Sequence, residues 1–74
     1  MSRLAGFRYI DVIRKLKTFG FQFDRNGPGS HELWRHSEKR IIVTIPHHPG
    51  DMKTGTLRAI LREAQIEIDE FLRR

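Results

Sequence analysis

The chain has 74 residues, with 14 Lys and Arg against 9 Asp and Glu, four histidines and no cysteine. That length leaves room for one small core and little room for a multi-step catalytic apparatus, and the missing cysteine excludes disulfides and thiolate metal sites. The formal charge of +5 makes a polyanion the first partner to consider, nucleic acid ahead of membrane.

No apolar run approaches the roughly 18 residues that span a bilayer, and no apolar block marks a signal peptide. The expectation is a soluble, cytoplasmic protein folded as a single domain over residues 1–74. Residues Met1 to Gly6 are short and basic and read as a frayed end. From Tyr9 onward, Tyr9, Val12, Ile13 and Leu16 fall at i, i+3, i+4 and i+7, which predicts a helix ending near Phe19 with Gly20 at its C-terminus. Arg14 and Lys17 lie on the outer face, and Asp11 and Lys15 are spaced as a favourable i,i+4 pair.

Phe21-Gln22-Phe23-Asp24 alternates apolar and polar, predicting a short strand with both phenylalanines facing the helices. Arg25 and Asn26 lead into Gly27-Pro28-Gly29, which must turn because glycine supplies φ > 0 and proline fixes its own φ. A second strand is expected from Ser30 to His36, a turn over Ser37 to Arg40, and a third strand from Ile41 to Ile45, the three forming an antiparallel meander. A four-residue loop from Ser37 sets His36 opposite Ile41, Trp34 opposite Val43 and His31 beside Pro46. Trp34, Val43 and Ile41 then share the core face with Glu32 turned inward, while His31, Leu33, Arg35 and Thr44 lie on the open face. A loop one residue shorter would reverse every side chain.

Pro46-His47-His48-Pro49-Gly50 ends the third strand. The adjacent histidines do not form a chelating pair, because neighbours in an extended segment point to opposite sides. A second helix is expected with Thr54 as its cap and Leu57, Ile60, Leu61 and Ala64 as its apolar face, beside a ridge of Arg58 and Arg62. A last short helix from Ile66 to Leu72 carries Asp69 and Glu70 early and is followed by Arg73 and Arg74, the order a helix dipole favours. Two helices over a three-stranded antiparallel sheet make an α+β two-layer sandwich.

Within this frame His31 is the residue that invites chemistry, since it stands where a glycine-bounded loop becomes a rigid strand. The same position also suits a histidine that merely fills a strand end, and position alone favours that plainer reading.

Gly29-Ser30-His31 at a strand start, Val43-Thr44-Ile45-Pro46 followed by His48, and Gly55-Thr56-Leu57-Arg58 with Ile60-Leu61 are ordered and spaced as in the HicA family of toxin mRNA interferases, which the chain resembles from the first helix to Glu70-Phe71-Leu72. The resemblance implies a fold like the double-stranded RNA-binding domain, an endoribonuclease that cleaves mRNA, and a HicB antitoxin that covers the active site. It also implies that His31, matching the histidine of the family's Gly-Ser-His motif, is catalytic. Two features depart from the family pattern: a longer loop containing Gly27-Pro28, and the acidic Glu32, whose carboxylate would repel phosphate if it faced RNA.

The chemistry needs no metal or cofactor, because RNA carries its own nucleophile in the 2′-OH and an imidazole takes or gives a proton near neutral pH. RNA contacts are expected from Arg25, Lys39, Arg40, His48, Lys53 and Arg58. Either His36 or His48 is open as a second proton-transfer group. The alternatives are a non-catalytic RNA-binding module of the same fold, which has no need of an imidazole at the loop–strand junction, and a small adaptor whose only partner is a protein.

Overall fold

The computed structural model describes residues 3–74, so Met1 and Ser2 of the expected frayed end lie outside the described residues. The elements run α1 (Tyr9–Thr18), β1 (Phe21–Asn26), β2 (His31–His36), β3 (Ile42–Pro46), α2 (Thr54–Ala64) and α3 (Ile68–Arg73). The three strands form an antiparallel sheet in the order β1-β2-β3, the α+β arrangement expected from the sequence.

Both helix stripes do what their spacing demands. Val12, Ile13 and Leu16 of α1 and Leu57, Ile60, Leu61 and Ala64 of α2 are buried in one cluster with Phe21, Trp34, Val43 and Ile45 of the sheet. Burial of a side chain of this size contributes about 1.5–3 kcal/mol, and this cluster supplies most of the apolar driving force of so short a chain. Leu4 is also in the core at 1% exposure, and Arg3 pairs with Asp69 at 2.8 Å, so residues 3–6 are not a frayed end. The segment behind Leu4 is held because the Met52 N–H donates to the Phe7 carbonyl at 2.7 Å and Arg8 bridges to Asp51.

The register of the β2–β3 hairpin is the one argued from the four-residue loop. His31 lies opposite Pro46, Glu32 opposite Ile45 and Trp34 opposite Val43, and the His36 N–H donates to the Ile41 carbonyl at 2.9 Å. Directly opposed residues share a face, so Trp34, Val43 and Ile45 point to the helices while His31, Arg35 and Thr44 are exposed on the other side.

Several details differ from the expectations. β1 continues to Asn26, and an irregularity between Phe23 and Arg25 leaves Asp24 as the extra residue, so Arg25 pairs with Leu33 on the open face. Phe23 is 48% exposed, in contrast to the buried Phe21; its ring meets that of Trp34 nearly at right angles, 5.9 Å between centroids, on an edge strand of the sheet. Asp11 and Lys15 do not pair: Asp11 accepts the Arg8 N–H at 3.0 Å at the helix start, and Lys15 reaches the Phe71 carbonyl at 3.3 Å. Lys53 occupies the N-cap position of α2, with Thr54 as its first residue. α3 begins at Ile68 because the chain first reverses through Gln65 in the left-handed region.

Gly20 meets both demands on a glycine at once. Its φ is +95°, closing α1, and a Cβ there would lie 2.8 Å from Nε2 of His36.

Candidate active site

The loop between β1 and β2 delivers His31 in a fixed orientation. The His31 N–H donates to the Pro28 carbonyl at 3.2 Å, closing a turn in which Gly29 takes φ +62°, and the Gly27 N–H donates to the His31 carbonyl at 2.9 Å. His31 therefore has its backbone locked on both sides. Its ring is exposed and makes no hydrogen bond or ring contact among the described residues. A free imidazole on a fixed backbone is able to meet an external group.

His31 lines a cavity of about 810 Å³ between β3 and the start of α2. Thr44, His48, Lys53 and Thr56 line the same cavity. Lys53 and Thr56 belong to the N-terminal turn of α2, where the unpaired N–H groups and the helix dipole add to the positive character of the Lys53 ammonium. Asp51 and Glu63 are the carboxylates on the wall. The cavity thus combines a proton-transfer group with a cation, a pairing able to bind an anionic group and move a proton on it.

Of the expected RNA contacts, His48 and Lys53 thus line the same cavity as His31. Arg25 lies on the open sheet face opposite Leu33, paired with Asp24. Lys39 and Arg40 are in the turn at the far end of β2, about 17 Å from His31 at the usual strand rise. Arg58 is exposed on α2 and does not line the cavity.

Glu32, next to the candidate catalytic residue, is directed away from the open face. Its Oε1 accepts the Tyr9 hydroxyl at 2.5 Å and the Trp34 indole N–H at 3.1 Å, and its Oε2 lies 3.3 Å from Nδ1 of His47. His47 stacks on Tyr9 with ring centroids 3.8 Å apart. Burial pushes the Glu32 carboxyl up, but the bonds from Tyr9, Trp34 and His47 outweigh it and hold the group below the ordinary carboxylate range. The Tyr9 hydroxyl is pushed well above its ordinary range by burial and by the carboxylate it faces. This network ties the start of α1 to β2 and to the segment after β3. The strand alternation had turned Glu32 inward, but its partners were not legible, because Tyr9 is 23 positions away along the chain.

A family model described as the HicA toxin of bacterial toxin–antitoxin systems matches residues 9–66, most of the chain. The chain belongs to the HicA toxin family. No curated protein matches it. Within this HicA chain the matched span contains His31, His48, Lys53 and Thr56 of the cavity and leaves α3 outside. No helix among the described residues is long and apolar enough to cross a membrane.

Proposed function

We propose that this toxin is an endoribonuclease that cleaves mRNA without a metal or cofactor, with His31 as general base, and that a HicB-like antitoxin silences it by covering the cavity. The observation that carries the reading is the free imidazole of His31 on a turn-locked backbone, lining a cavity that Lys53, at the start of α2, also lines. In the reaction His31 withdraws the 2′-OH proton as that oxygen attacks the adjacent phosphorus, while Lys53 and the N–H groups of α2 steady the phosphoryl oxygens. General-base catalysis of this kind contributes about 10²- to 10⁴-fold, a modest rate sufficient for a toxin acting on a limited pool of messages. Glu32 does not oppose RNA binding, since its carboxylate is engaged on the core side.

The test is cleavage of a defined RNA by the purified protein in the presence of a chelator, set beside His31→Ala. The exposed His31 supports little packing, so the variant should melt within about 0.5 kcal/mol of the parent and cut no RNA. A folded His31→Ala protein that still binds RNA, paired with a parent that binds but never cuts, would favour the non-catalytic RNA-binding module. Addition of the antitoxin should abolish cleavage; a stable complex that cuts at the parent rate would refute masking.

A further inference from the structure

In-line cleavage of RNA places the attacking and leaving oxygens on opposite sides of phosphorus, so one imidazole cannot serve both. The chain has four histidines, and the structure sorts them. His36 holds the β2–β3 turn: its Nδ1 accepts the N–H groups of Glu38 at 3.0 Å and Lys39 at 3.1 Å, and its ring stands edge-on to Phe21. His47 is stacked on Tyr9 and paired with Glu32. The remaining pair, His31 and His48, line one cavity.

His48 is exposed, and its one side-chain hydrogen bond among the described residues joins Nε2 and Oγ of Ser30 at 3.4 Å. Ser30 immediately precedes His31, and its carbonyl accepts the His47 N–H at 2.9 Å. The hydrogen-bonded pairing of Ser30 with His47 therefore holds His48 against the loop that delivers His31. The other titratable groups on the cavity wall are Tyr9, Asp51, Lys53 and Glu63.

Resting on the ribonuclease reading, we infer that His48 is the general acid of the cleavage step. As the O2′–P bond forms, the 2′-OH proton passes to His31. As the P–O5′ bond breaks, protonated His48 gives its proton to O5′. The products are a 2′,3′-cyclic phosphate and a 5′-hydroxyl end, with His31 left protonated and His48 neutral. The two then exchange protons with water, and no oxidant, reductant or metal enters the balance.

The test compares an ordinary RNA with one whose scissile 5′-bridging oxygen is replaced by sulfur, a leaving group that departs without protonation. His48→Ala should slow cleavage of the ordinary RNA by about 10²- to 10⁴-fold and cleavage of the thio substrate by less than about tenfold. His31→Ala should be slow on both. Lys53→Met, which removes a charge but no leaving-group acid, should slow the two substrates equally. His48→Gln is run alongside, and melting curves establish which variants are folded. If folded His48 variants cut both substrates equally slowly, or cut ordinary RNA at the parent rate, the assignment is overturned. A parent protein that cuts neither substrate brings down the ribonuclease reading itself, and this inference with it.

Discussion

Replacing Glu32 by alanine separates the role of its carboxylate in the fold from any role in the chemistry. Trp34 is 3% exposed, so without Glu32 its indole N–H loses its acceptor in the interior, a loss of about 1–3 kcal/mol. Tyr9 is half-buried and recovers part of its hydrogen bond from water, and the pair with the exposed His47 contributes at most about 1 kcal/mol. The expected cost is about 2–4 kcal/mol, out of the roughly 4–11 kcal/mol that a chain of this length commands. At about 4–8 °C per kcal/mol, the melting temperature should fall by about 8–32 °C.

The pH dependence gives an independent reading of the same carboxylate. Its folded pKa lies below the ordinary 4.5, so as acid is added the unfolded chain takes up a proton before the folded one does. The stabilisation is complete above the ordinary value and is lost as pH falls through the lowered one. Glu32→Ala should lack that share of the parent's acid sensitivity. Well below its melting temperature it should cut RNA at the parent rate, because the carboxylate faces the helices. Melts and cleavage assays on both proteins from pH 7 down to the acid limit decide the matter. A variant melting within about 3 °C of the parent, or one with an unchanged acid slope, would refute the network's energetic role.

Three further outcomes are expected. RNA affinity should fall steeply as salt rises, because Lys53 and the dispersed exposed arginines neutralise phosphates, and a flat salt profile would refute electrostatic binding. Trp34→Ala should cost about 3–5 kcal/mol and lose activity through unfolding, seen as a collapsed melting transition rather than a folded inactive protein. Tyr9 is the chain's one tyrosine and its pKa is raised in the fold, so parent stability should decline as pH climbs past about 10, where the unfolded phenol ionises first. Tyr9→Phe should remove that part of the alkaline decline in melts between pH 9 and 11.

The element order, the hairpin register and both helix stripes were legible in the sequence because each follows from a local period or a short turn. Where the reading failed, a single residue broke the period or a distant partner intervened. Asp24 is extra in β1, which turns Arg25 onto the open face in a way no alternation rule anticipates. Asp11 and Lys15 have ideal helical spacing, yet each has a better partner: the Arg8 N–H for one, the Phe71 carbonyl for the other. Leu4 reads as part of a loose end because six residues show no period, and only the pairing of Phe7 and Arg8 with the segment before α2 draws it into the core. At the site, His31 was visible from its loop. The separate engagement of His36, with a turn, and His47, with Tyr9 and Glu32, required the folded geometry, as did the gathering of His31, His48 and Lys53 around one cavity.

β2 explains how so small a domain holds chemistry and stability apart. Along its six residues the side chains alternate, with His31, Leu33 and Arg35 outward and Glu32, Trp34 and His36 inward. A slip of one residue would exchange the two sets, burying His31 and exposing the tryptophan. The inward set resists that slip by distinct means: Trp34 fills the core, Glu32 bonds both Trp34 and Tyr9, and His36 caps the following turn while its Nε2 sits in the space a Cβ on Gly20 would occupy. These contacts lie behind the sheet, and together they hold the register that keeps the imidazole exposed in front of it, where it lines the cavity. His31 is consequently free of packing duties, and its acidic neighbour serves the fold behind it.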